Sequence, residues 1–136
     1  MKSNKKLGND FEQEVCQILA NAGYWAHNFA NRTNGQPVDI IAARNGRAVI
    51  IDAKVCSHGF FETRRLEENQ ILAMRKWFAC GNKTVYLFFL LPDESVYGMC
   101  IPDDVSLDKI LAVKRIPERI IREQYCWREG VQHETL

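Results

Sequence analysis

Apolar residues recur at helical spacing from Phe11 through Val15, Ile18, Leu19 and Ala22, the single stripe expected of an amphipathic helix. Asn9 or Asp10 can cap its start and Gly23 can stop it, so the pattern predicts a helix to about residue 21. Residues 24–30 read as a short strand, and 31–36 as a polar loop around Asn34-Gly35. Two β-branched runs, 38–43 and 48–55, then flank Asn45-Gly46. That dipeptide signals a two-residue hairpin turn, because both central positions of a type I′ turn need positive φ. Residues 56–61 look irregular. Residues 62–66 lead into a second helix that runs to about 79, its buried face marked by Leu66, Ile71, Met74, Trp77 and Phe78. Residues 84–91 are almost wholly apolar, as in a central strand covered on both faces. A further strand is predicted over 96–101, a short helix over 106–113, and a last helix from Pro117 to about Arg122. This order predicts an α/β fold with helices on the faces of a mixed sheet.

The hairpin register can be derived. With Asn45 and Gly46 as the loop, Arg44 faces Arg47, Ala43 faces Ala48, and Asp39 arrives opposite Asp52. Alternate residues share a face, so Lys54 lies on the face of Asp52. Like charges directly across a pair of strands destabilise it. Two opposed carboxylates in apolar strands therefore call for a cation, unless a bulge shifts the register. A helix packed on this sheet could add Glu12 or Glu14, which border the apolar stripe on opposite sides. Hard oxygen donors suit Mg²⁺, or Mn²⁺ in its place, better than zinc. A charged lysine beside them would position water and stabilise developing negative charge.

Composition narrows the setting. The chain has 136 residues, a length suited to one domain, and 46% of them are hydrophobic. Its net charge of +1 argues against binding by bulk charge, though not against a local basic face. The five cysteines are scattered, with no Cys-x-x-Cys pair, which fits a reducing cytosol and a cytoplasmic protein. No apolar run is long enough to span a membrane, and no apolar signal region follows the polar N-terminus.

Asp39 followed by Asp52-Ala53-Lys54 after a hairpin resembles the PD-(D/E)xK nuclease signature, although Pro37 stands one residue further from Asp39 than that pattern has it. Gly8-Asn9-Asp10-Phe11-Glu12 resembles the first-helix motif of the archaeal Holliday-junction resolvases. Gln70 on the second helix, followed by a glycine turn and an apolar strand, resembles the RecU-type layout. The resemblance covers residues 8–101. It implies a restriction-endonuclease-like αβββαβ core, preceded by a basic arm over 1–7 and followed by a helical extension over 102–136, together forming a single nuclease domain. It favours Glu12 over Glu14. It also implies Glu12, Asp39, Asp52, Lys54 and Gln70 as catalytic residues. Mg²⁺ would be held by Glu12, Asp39, Asp52 and the backbone carbonyl of Ala53. The implied activity is Mg²⁺-dependent hydrolysis of DNA phosphodiesters by a homodimer, selective for branched DNA.

Phosphate contacts are expected from Lys5 and Lys6 on the arm and from Arg32, Arg64 and Arg65. No helix-turn-helix or zinc-finger spacing is present, so shape is a better basis for recognition than base sequence. Two alternatives share the fold. One is a phage or mobile-element nuclease acting on duplex or single-stranded ends. The other is a DNA-binding module that does not cleave. Sequence-specific restriction is less favoured, since the short chain shows no added recognition domain.

Overall fold

The computed structural model describes residues 4–29 and 38–127. Helix α1 spans Asn4–Asn21 and leads through Gly23, at φ +93°, into strand β1 (Trp25–Asn28). Strands β2 (Ile40–Arg44) and β3 (Arg47–Val55) form the hairpin. Asn45 and Gly46 have φ of 55° and 76°, the paired positive values of a type I′ turn. A short strand β4 (Phe60–Glu62) and a 3-10 turn (Thr63–Arg65) precede helix α2 (Glu68–Ala79). Strands β5 (Val85–Leu90) and β6 (Val96–Ile101), helix α3 (Asp104–Leu111), strand β7 (Arg115–Pro117), helix α4 (Glu118–Ile121) and strand β8 (Tyr125–Cys126) complete the order.

The main sheet runs β1-β2-β3-β5-β6-β8. It is mixed, because β3 and β5 are parallel whereas β2–β3 and β5–β6 are antiparallel. As the apolar run predicts, β5 is central, with Val85, Leu87, Phe88 and Phe89 all inaccessible to solvent. The two sheet faces carry separate cores. On one, Phe11, Val15 and Leu19 of α1 pack against Ile40, Ala42, Ile51 and Phe88. On the other, Leu66, Met74 and Leu107 pack against Ile50, Leu87, Phe89 and Ile101. Among the described residues, no helix is long and apolar enough to cross a membrane.

Three expectations change. The first helix begins at Asn4, so the described part of the basic arm is helical, with Gly8 inside it. Glycine costs a helix interior about 1 kcal/mol, and the deeply buried stripe from Phe11 to Leu19 outweighs that. The stretch over 56–61 is not wholly irregular. Residues 60–62 pair with β7, with Phe61 opposite Ile116, and this buries Phe61 fully. The C-terminal extension is also not purely helical. β7 pairs with β4, and β8 lies against β6, where it covers an edge of the main sheet. Strands of two or three residues carry too little periodicity to be read from sequence.

Candidate active site

The β2–β3 ladder follows the derived register from Arg44–Arg47 to Ile40–Ile51. There it stops, one residue short of the expected Asp39–Asp52 pair. The Asp39 N–H donates to the Ile51 carbonyl at 3.2 Å, so Asp39 and Ile40 both address Ile51 in a bulge-like exit from the ladder. The bulge does not take the carboxylate away. Asp39 Oδ2 accepts the Ala53 N–H at 2.9 Å. Beyond Ile51, β3 pairs only with β5, so its other side is open. The N–H and C=O of one strand residue point the same way. The Ala53 carbonyl therefore faces the open side where Asp39 is bound.

Asp52 is 1% exposed. Its Oδ1 accepts from Gln70 Nε2 at 2.9 Å. Its Oδ2 lies 3.2 Å from Lys54 Nζ, an ion-pair distance, but has no partner of hydrogen-bond geometry. Lys54 Nζ donates instead to Gln70 Oε1 at 3.3 Å. Gln70 is itself buried and fixed from a third side, because its Oε1 also accepts the Glu67 N–H at 3.0 Å, the reciprocal half of a capping box at the start of α2. One side chain thus caps a helix, orients the lysine and holds the carboxylate.

Glu12 reaches this group from α1. Burial, followed by the charge of Asp39, raises its carboxyl to about 7, against a smaller opposing pull from Lys54. Burial likewise holds Asp52 well above the usual carboxylate range; Lys54 opposes this and Asp39 reinforces it. The five residues singled out for chemistry therefore meet in one region, drawn from α1, the entry to β2, β3 and α2.

Three carboxylates against one ammonium leave the region over-acidic. Among the described residues, no three carboxylate, histidine or cysteine side chains form a preassembled cation cage. The donors nevertheless fit a hard divalent ion. They are all oxygen, two of the carboxylates are held above their ordinary pKa values, and Asp52 Oδ2 is buried with the Lys54 ammonium 3.2 Å away but outside hydrogen-bond geometry.

A stability prediction follows. Glu12 titrates near 4.5 when unfolded and near 7 when folded, so between these values the folded state binds more protons. Stability of the metal-free protein then falls as pH rises through that window. Discounted for partial exposure, the loss is about 1–2 kcal/mol. Urea unfolding in EDTA at pH 5 and pH 8 would show it, and Glu12→Gln should flatten it. An equal or higher midpoint at pH 8 in the unmodified chain would contradict the assignment.

The candidate DNA contacts separate. Arg32 lies outside the described residues, as does the side chain of Lys5. Lys6 lies 3.8 Å from Asp10 and Arg64 lies 3.3 Å from Glu62, each paired with a carboxylate. Arg65 differs. Its Nη1 donates to the Val55 carbonyl at 2.8 Å, and its guanidinium lies 5.3 Å from the Phe61 ring centre. It borders the same cleft as Lys54, together with Ser57 and His58, to which the sequence reading assigned no chemistry. A lone exposed histidine in an irregular stretch gives no signal until the chain folds back past β3.

No family model matches the chain, and no curated protein matches it. Solved structures do. The Archaeoglobus fulgidus protein Hjc, a Holliday junction resolvase from an archaeal hyperthermophile, superposes with a TM-score of 0.62 over 90% of this chain and 93% of its own, at 18% identity. The chain has the fold of that resolvase. The crystal structure of SSO0001 is more distant, at a TM-score of 0.44 and 12% identity over 82% of this chain and 62% of its own, and carries no argument. Within the resolvase fold of this chain, Asp52 and Lys54 stand where β3 runs on past the end of its hairpin partner.

Proposed function

We propose that this chain is a Mg²⁺-dependent endodeoxyribonuclease that hydrolyses phosphodiesters in branched DNA, in the manner of a Holliday-junction resolvase, and works as a homodimer with two sites. Mn²⁺ would serve as a substitute. The observation that carries this reading is the buried Asp52–Lys54–Gln70 unit with Asp39 anchored beside it on the Ala53 amide. Such a unit is a poor structural choice without a cation and a sound one with it.

Glu12, Asp39, Asp52 and the Ala53 carbonyl would hold the ion. When bound, it supplies Lewis acidity and activated water. Asp39 is presented by the bulge-like exit from β2, and its bond to the Ala53 amide fixes its rotamer. Gln70 holds Asp52 by its amide group and Lys54 by its carbonyl, so these two cannot drift apart independently. The Lys54 ammonium directs water and offsets negative charge that develops on the phosphate. Shape selection would follow from the modest net charge and from basic groups placed singly around the site.

A cleavage panel tests the reading: labelled four-way junction, flap, duplex and single strand, each in Mg²⁺, Mn²⁺ and EDTA. Junction nicking with either ion and none in EDTA is expected. Cutting confined to duplex or single-stranded ends would replace branch selectivity with the end-processing alternative. An uncut junction in both ions would remove the nuclease reading.

A further inference from the structure

Beside the candidate active site the surface forms a cleft of about 430 Å³, within the size range of small-molecule sites. Gly8 of α1 lines it. Ala53, Lys54, Ser57, His58, Phe60 and Arg65 also line it. Lys54 and Ala53 are thus shared between the cleft and the carboxylate cluster. A group in the cleft would lie next to a group at the carboxylates.

The polar lining points to an anion. Arg65 is held by the Val55 carbonyl and the Phe61 ring, neither of which neutralises its charge. A guanidinium carries five N–H donors, so a tether through one nitrogen leaves others to engage phosphate. Glu62 also borders the cleft, but it is engaged by Arg64, which donates to both of its oxygens at 3.3 and 3.4 Å. His58 adds a ring stacked on Phe60, with centres 6.1 Å apart and planes 27° apart. Arg115 lies 4.3 Å from the Phe60 ring centre and braces the pair. Ser57 supplies a hydroxyl. The lining also includes Gly8, where an added Cβ would meet nothing within 4 Å.

We propose that this cleft is the subsite for the nucleotide adjoining the cleaved bond, with Arg65 and His58 holding its phosphate and the His58–Phe60 ring pair bounding its sugar. The assignment rests on the nuclease reading above for its substrate. It also gives two consecutive arginines different work: Arg64 is consumed by Glu62, and Arg65 is prearranged for the ligand.

The test is equilibrium binding of a labelled four-way junction to the full chain in EDTA, over a salt series, alongside cleavage in Mg²⁺. Arg65→Ala is expected to weaken binding about tenfold and to lower the slope of log K against log salt by about 0.9, as for one lost phosphate contact. His58→Ala, at an exposed side chain, should lose about threefold. Arg47→Ala, at the opposite end of β3, should stay within about twofold with an unchanged slope. Because Arg65→Ala also removes the contact to Val55, Arg65→Lys and a melting curve accompany it. Lysine keeps the charge but not the fork, and should recover the salt slope without full affinity. If His58→Ala and Arg65→Lys both bind and cut as the unmodified protein does, the cleft is not a subsite, and the nuclease reading stands without it. If binding depends on Arg65 with the reduced slope but no DNA is ever cut, the cleft stands as a phosphate site and the nuclease reading falls.

Discussion

Asp52→Asn is expected to lower DNA cleavage by about a thousandfold and yet to raise the melting temperature of the metal-free protein. The two effects share one cause. Asp52 is 1% exposed, and burial disfavours its charged form more than the nearby lysine favours it. Asparagine keeps the shape and an oxygen for the Gln70 amide, and removes one of three carboxylates that face a single ammonium. The gain is on the order of 1–2 kcal/mol at pH 8, or about 3–8 °C for a chain of this length. The opposite sign is diagnostic. Were Asp52 and Lys54 a self-sufficient buried ion pair, breaking it would cost about 3–5 kcal/mol. Thermal melts of both proteins in EDTA decide between these. A lower midpoint for Asp52→Asn would mean that the cluster is structural and needs no cation.

Gln70→Ala is expected to damage fold and site together. The side chain makes three bonds, to Asp52, to Lys54 and to the Glu67 amide. Removing it strips Asp52 Oδ1 of its donor and uncaps α2. Together these should cost about 2–4 kcal/mol and lower the melting temperature by about 6–15 °C. Loss of the partner that orients a metal-binding carboxylate should also raise the Mg²⁺ needed for cleavage by about 10–100-fold. Gln70→Glu separates the contributions. It keeps an acceptor for Lys54 and Glu67 but places a fourth carboxylate against Asp52, so its defect should ease as pH falls. A Gln70→Ala protein that melts within about 1 kcal/mol of the unmodified chain would show that Gln70 does not hold this region together.

Long-period features of the fold were legible in the sequence. The stripe from Phe11 to Leu19, the continuous apolar run of β5 and the Asn45-Gly46 turn each repeat or concentrate a local preference, and each appears where the pattern places it. The pairing from Arg44–Arg47 to Ile40–Ile51 follows from that turn alone, because a two-residue loop leaves one register. Asp52 and Lys54 share a face because side chains alternate along a strand. Strands of two or three residues, such as β4, β7 and β8, owe their existence to partners distant in the chain. Their local patterns are too short to show that.

The candidate site divides along the same line. Residues near in sequence, the Asp-x-Lys unit on one strand above all, are placed by the two-residue alternation of a strand, a property of the local chain. Three further matters depended on elements far apart in sequence coming together. The Asp39 backbone leaves the ladder for Ile51 while its carboxylate binds the Ala53 amide. Glu12 is brought near Asp39 and Lys54 by the packing of α1 on the sheet. Arg65, equal to Arg64 on paper, becomes the arginine beside the cleft because its neighbours are a carbonyl and a ring rather than Glu62. Hydrogen-bond partners and burial are set by what arrives from elsewhere in the chain, and with them the charge balance that makes a carboxylate cluster a site.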